Sequence, residues 1–289
     1  MTMPNESPET IVVTGATRGI GRGVARALAA QGHRIVLTGR DPSAGAEALA
    51  EVRAAGSPDP ALVLFDMSSL RSVREGAQKL VEVCPRIDVF VHNAGLWPTR
   101  REIGDDGLER AFVVNHLAPF LLNHLLEPQL VKSRTRVVQV SAGLYIKGVV
   151  DLERTPKGED FHAIRTYCTT KLLGLMTMPR FAAKWAASGV CVDAVHPGVI
   201  RTNLGDRTGA LGVLLRLVKR LWRTVDQGAE PVVRLVNERP EPAKAGRYFH
   251  ELVEQPLAPV ATNAEVASRV WDQAVALAGL ESTQRPASA

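Results

Sequence analysis

The apolar run Ile11-Val12-Val13 breaks into Thr14-Gly15-Ala16-Thr17-Arg18-Gly19-Ile20-Gly21 and resumes as the helical pattern Val24, Ala25, Leu28, Ala29. This order reads as a first strand, a tight turn and the start of a helix. Each glycine has a mechanical use there. One lets the chain turn sharply, one lets backbone approach a pyrophosphate, and one lets the helix pack close to the strand. The free N–H groups and the dipole of the helix end attract phosphate, so the stretch points to a bound dinucleotide.

Downstream, buried-type strands alternate with amphipathic helices. Strand Arg34-Ile35-Val36-Leu37-Thr38 is followed by a helix over 43–55, and strand 61–65 by a helix over 69–83. Strand 87–91 precedes a long helix over 105–127 that ends before Pro128, and strand 136–141 precedes an unusually long connection to about Phe161. A helix over 161–187, a strand over 190–195, helices over 210–223 and 226–237, a strand around 247–249 and a helix over 263–278 complete the pattern. Such alternation predicts an α/β fold: one doubly wound Rossmann domain over 10–280, a mostly parallel sheet of about seven strands with helices on both faces. A 45% hydrophobic composition is ample for that core. The polar ends, 1–9 and 281–289, are expected to be disordered.

Ligands of open α/β sheets lie beyond the carboxyl ends of the strands, which here carry Asp66-Met67 and His92-Asn93-Ala94-Gly95. The second strand ends at Gly39-Arg40, where an acidic residue would grip a ribose 2′-hydroxyl. A guanidinium suits a 2′-phosphate instead, with Arg18 as the second jaw of the clamp, so NADP(H) is expected over NAD(H). Asp41 is a competing partner for Arg40. Asn115 interrupts an apolar helix and must be either a structural bridge or part of a polar site. Tyr167 and Lys171, four apart, share a helix face.

Several classes are excluded or disfavoured. Cys84, Cys168 and Cys191 lie far apart, without disulfide-like or metal-like spacing, and read as reduced thiols; Cys168 is a candidate site liner, and no metal site is expected. The net charge of +5 is spread along the chain, without the clustered basic face of a nucleic-acid binder. No signal segment or transmembrane span is evident, and a cytoplasmic location is expected.

Taken together, Thr14-Gly15-x-x-x-Gly19-x-Gly21, Asn93-Ala94-Gly95, Asn115, Tyr167-x-x-x-Lys171 and Pro197-Gly198 resemble the short-chain dehydrogenase/reductase family in order and spacing, over residues 10–280. Asn115-His116-Leu117, Tyr167-Cys168-Thr169-Thr170-Lys171 and His196 to Thr202 look most like its retinol-dehydrogenase-like branch. The resemblance implies hydride exchange between a nicotinamide and a lipophilic carbonyl or alcohol. Tyr167 would be the acid/base, Lys171 would favour its phenolate and bind ribose, and Asn115 would hold a relay water. Cofactor contacts are expected from Gly15, Thr17, Arg18, Gly19, Ile20, Gly21, Arg40, Asp66, Met67, Asn93, Ala94, Gly95, Asn115, Tyr167, Lys171, Pro197, Gly198, Val199 and Thr202. A homo-oligomer is compatible with the resemblance.

One departure matters. The family usually ends the fifth strand with two small hydroxyl residues, the second holding the substrate oxygen, whereas here the pair is Ser141-Ala142. Aligned without a gap, Ser141 sits one residue early, on the other side of the strand, and becomes catalytic only if the strand end bulges. Non-redox proton transfer and a cofactor-binding regulatory role therefore stand as alternatives. The amphipathic segment 210–223 is expected to be a helical lid over the substrate, with a membrane-surface helix as its rival.

Overall fold

The computed structural model describes residues 8–198, 224–238 and 241–280. Val199, Thr202 and the expected lid over 210–223 lie outside the described residues. Eight strands form one sheet: β1 Thr10–Val13, β2 Arg34–Gly39, β3 Ala61–Leu64, β4 Val89–His92, β5 Arg136–Val140, β6 Cys191–His196, β7 Tyr248–His250 and β8 Val253–Gln255. Their order is β3-β2-β1-β4-β5-β6-β7-β8, all parallel except the last pair. The eighth strand exceeds the seven expected. It is a short antiparallel return paired as Tyr248↔Gln255 and His250↔Val253, with all three residues exposed, so no buried apolar run advertises it.

The period of two sorts the strand side chains onto two cores. Ile11, Val13, Ile35 and Leu37 face one layer, built with α1 (Gly19–Ala29), α2 (Pro42–Ala54) and, later in the chain, the helix Val225–Asn237. Val12, Val36, Phe90 and Val137 face the other, built with α3 (Leu70–Val83) and the helices that follow it. Those are α4 (Arg110–Phe112), α5 (Ala118–Leu125), α6 (Glu127–Ser133) and α7 (Ala163–Trp185), after which α8 is Val225–Asn237, α9 is Pro259–Thr262 and α10 is Ala264–Leu277. Burial on both faces explains why the strands read as continuous apolar runs.

The helix expected over 105–127 is not one element. It starts at Arg110, capped by the Glu109 carboxylate on Phe112 N–H at 2.8 Å, and Val113–Leu117 forms a π-helical turn around Asn115. The helix does end before Pro128, at Leu125, and Pro128 sits in the first turn of α6, where a missing N–H costs nothing. Glu9, grouped by the sequence with a disordered end, is anchored instead: its carboxylate meets Arg136 Nη2 at 2.5 Å. Among the described residues, no helix is long and apolar enough to cross a membrane.

Candidate active site

The strand order reverses between β1 and β4, and the crevice at that point gathers the glycine turn and the Asn93-Ala94-Gly95 segment. Gly15 has φ +63°, and a Cβ there would lie 2.9 Å from Ala94 Cα. Neither the conformation nor the space admits a side chain. Thr14 and Asn93 stitch the two segments together. Thr14 Oγ1 accepts the N–H groups of Asn93 and Ala94 at 2.9 and 3.0 Å, while Asn93 Nδ2 donates to the Thr14 and Gly15 carbonyls. Asn93, expected to touch the cofactor, thus spends its side chain holding the turn, with Gly21 packed against it. Gly19 and Ile20 open α1, Ile20 resting on the first core layer.

At the end of β2, a Cβ on Gly39 would lie 2.5 Å from Thr17 Cγ2, so Thr17 leaves no room for the acidic side chain whose absence the sequence noted. Arg40, half-exposed, has its Nη1 3.6 Å from Asp66 Oδ2. Asp41 does not neutralise it, being occupied as the cap of α2 on the N–H groups of Ser43 and Ala44. Burial pushes the Asp66 carboxyl upward, but hydrogen bonds from Ser68 and the charges of Arg40 and Arg110 outweigh it and hold it below its usual range. Arg18 is exposed, without an acidic partner among the described residues. Met67 is buried in the second core layer.

The other half of the site comes from α7. Tyr167 is buried at 7% exposure, and Lys171, one turn on, sends Nζ to the Val140 carbonyl at 3.1 Å. Lys171 Nζ and Asn115 Oδ1 each come within 3.3 Å of where a Cβ on Gly95 would sit, which brings the motifs of β4, the π turn and α7 to one place. Asn115 clamps Leu96 by both backbone groups, accepting its N–H at 2.8 Å and donating to its carbonyl at 2.9 Å, and donates to Thr170 Oγ1 at 3.0 Å. Both amide hydrogens are therefore engaged, which makes Asn115 a bridge between segments. π turns of this kind cluster at functional sites.

Burial dominates the electrostatics of the pair. Burial pushes the Tyr167 phenol above its usual value, with the neighbouring Cys168 adding to the rise, and burial pushes Lys171 down to about 8. Desolvation thus favours the neutral phenol in the folded chain. Cys168 is fully buried rather than a site liner, as are Cys84 and, nearly so, Cys191.

Ser141 is 5% exposed, and its Oγ is enclosed without a hydrogen-bond partner among the described residues. Its N–H stays in the sheet, bonded to the Val195 carbonyl at 2.8 Å, so no bulge turns the strand end outward. Ala142 is 6% exposed and still extended. Pro197 is buried, and Gly198, at φ +89°, turns away beside Glu251.

Two aromatic rings near the site were given no role by the sequence, His196 being read only as part of a motif. The His196 ring stacks edge-on with His250 at 4.8 Å, and its pKa falls to about 4 through burial, aided by the His250 and Lys171 charges. Trp97 lies face to face with Tyr167, ring centroids 4.3 Å apart and planes 11° apart. The only available signal was an aromatic residue two positions beyond Asn93-Ala94-Gly95.

Comparison with known proteins accords with this geometry. The chain is 33% identical to retinol dehydrogenase 14 of Mus musculus over 94% of its own length and 86% of that protein. It is 34% identical to a protein of Streptomyces sp. (strain C5) described as a daunorubicin C-13 ketoreductase, over 93% and 92% of the two chains. A crystal structure of an uncharacterized protein from Mycobacterium Paratuberculosis superposes with a TM-score of 0.74 at 25% identity, covering 95% of this chain and 96% of that one. The sequence profile of the family described as short chain dehydrogenase matches residues 9–210, and with its parallel sheet, glycine turn and Tyr167–Lys171 pair the chain belongs to that family of oxidoreductases.

Proposed function

We propose that the protein is an NADP(H)-dependent oxidoreductase that interconverts a lipophilic carbonyl compound and its alcohol, with Tyr167 as the acid/base. One observation carries the reading: buried Tyr167 and Lys171 stand one turn apart on α7, with Lys171 reaching Gly95 at the sheet end that carries the glycine turn.

The residues present fit a dinucleotide phosphate. The glycine turn leads into α1, whose first N–H groups have no side-chain cap, and the end of β2 carries Arg40 where no carboxylate fits, while Arg18 is exposed in the glycine turn. When bound, the nicotinamide supplies or accepts the hydride. Tyr167 donates its proton to the carbonyl oxygen as negative charge develops there during reduction, and recovers one in the reverse direction. Lys171, one helical turn from Tyr167 and tethered to Val140, carries its positive charge below about pH 8. Thr170, between Asn115 and the Tyr167 carbonyl at 3.0 Å, helps set the tyrosine's position.

The names of the relatives, a retinol dehydrogenase and a daunorubicin C-13 ketoreductase, support an alcohol or ketone on an apolar skeleton as substrate. A second reading, proton transfer without net redox, is favoured by Ala142 and by the enclosed Ser141 hydroxyl, which together leave the substrate oxygen without the usual serine donor. The experiment that separates the two is to mix purified protein with NADPH or NADH and a panel of ketones and aldehydes, following nicotinamide absorbance. Oxidation of NADPH in preference to NADH supports the proposal. Substrate conversion at constant nicotinamide absorbance supports the second reading instead.

A further inference from the structure

The indole of Trp97 is positioned from three sides. On its N-terminal side, Leu96 is clamped by both backbone groups to the Asn115 amide. On its C-terminal side stands buried Pro98, and a residue before proline is confined to extended backbone. Across the crevice, the Tyr167 ring covers one of its faces in a near-parallel stack at 4.3 Å. Trp97 nevertheless remains partly exposed, so part of its surface is open beside the tyrosine.

In the proposed reaction a carbonyl oxygen meets the Tyr167 hydroxyl, and the partly exposed Trp97 is the aromatic surface stacked beside it for the attached carbon skeleton. A flat unsaturated group meets a rigid aromatic surface there and gains offset stacking beyond its area of burial. A saturated chain gains burial alone and must order its rotors to lie flat. Building the wall from an aromatic side chain held by a backbone clamp and a proline removes the ordering cost on the protein side.

We infer that Trp97 is a specificity-determining residue: with Tyr167 it forms an aromatic wall of the substrate slot that selects carbonyls conjugated to a flat ring over saturated ones of equal size. The inference rests on the proposed oxidoreductase reading for the place of the carbonyl, and its test is separable from that reading because it measures binding.

The probes are acetophenone and 2-octanone, which have the same carbon count and differ in flatness. Calorimetry on the full chain with saturating NADP measures both affinities without turnover. The wild type is expected to bind acetophenone about tenfold more tightly. Trp97→Leu, which keeps an apolar wall but no flat face, brings the two within about twofold, and Trp97→Phe keeps an intermediate preference. A wild type without preference, or a Trp97→Leu protein that retains it, overturns the inference; should the leucine variant not fold, an unchanged preference in Trp97→Phe does so. If neither ketone oxidises NADPH or NADH while the binding preference follows residue 97, the oxidoreductase reading fails and the aromatic wall stands.

Discussion

Asn115 holds Leu96 by both of its backbone polar groups, at 2.8 and 2.9 Å across 19 residues of sequence. Replacing Asn115 with Ala leaves those two groups and the Thr170 hydroxyl without their amide partner. Leu96 is only partly buried, so water recovers some of the loss, and urea unfolding is expected to show a destabilisation of about 2 kcal/mol. Turnover should fall as well, because Leu96 places Trp97 on Tyr167. A variant of unchanged stability would mean that the clamp is dispensable.

Tyr167→Phe removes the proton donor but keeps the ring that stacks on Trp97. Turnover should fall by ~10² to 10⁴. Calorimetric affinity for NADP should change by less than about twofold, as expected when only an interaction of the chemical step is lost. More than about a tenth of wild-type kcat in this variant would place the acid/base elsewhere.

Cofactor choice should depend on a pair of residues rather than on one. Arg40→Ala is expected to weaken NADP binding about tenfold, consistent with loss of a charge-assisted hydrogen bond, and to leave NAD binding unaltered. Gly39→Asp alone should neither fold stably nor gain NAD affinity, because its Cβ meets Thr17 Cγ2, and a β-branched side chain cannot swing aside freely. Combining it with Thr17→Ala should restore folding and bring in NAD binding. Tight NAD binding by the single Gly39→Asp variant would contradict the steric argument.

Ser141→Ala deletes a hydroxyl that is buried without a partner among the described residues, so thermal stability should hold or rise and turnover should be nearly unaffected. Ala142→Ser adds a donor at the aligned catalytic position and should raise redox turnover. A large loss in Ser141→Ala with no gain in Ala142→Ser would show that Ser141 serves the substrate oxygen after all.

Burial lowers the pKa values of His92 and His196 to about 4 and of His116 to about 3, so all three are neutral in the folded protein at pH 7. Above their unfolded pKa of about 6.5 neither state binds the proton. As pH falls below it, the unfolded chain takes up protons that the folded chain refuses, and stability drops by about 1.4 kcal/mol per pH unit for each residue until the folded values are reached. Glu109 opposes this, since burial raises it to about 7 and the folded state gains protons first between pH 7 and 4.5. One group against these three and His124, which burial also lowers, leaves a net acid lability. Urea midpoints should fall steeply between pH 6.5 and 5, and less so in His116→Met. A flat profile over that range would show that the histidines are solvated.

Much of this protein was legible because the signals are local. Ile11-Val12-Val13 and Arg34–Thr38 read as buried strands because both their faces are covered, and that burial makes the runs continuous. Tyr167 and Lys171 read as one face because four residues make about one helical turn. Gly15 was legible because its turn admits no side chain. Other features are decided only when distant segments meet. The π turn at Val113–Leu117 centres on Asn115, whose partners are Leu96 and Thr170, and no periodicity within the helix encodes their positions. β8 has an exposed strand pattern and exists through its pairing with β7. How deeply Tyr167 and Lys171 are buried, which raises one pKa and lowers the other, is likewise set by the packing around α7 and not by their spacing. The sequence by itself determined the order of strands and helices and the end of the sheet where the motifs gather, since hydrophobic period and chain direction decide both. Which ring stacks on Tyr167, which side chain blocks Gly39 and where the Ser141 hydroxyl points depend on the register and twist that bring strand ends together, and those only the tertiary structure decided.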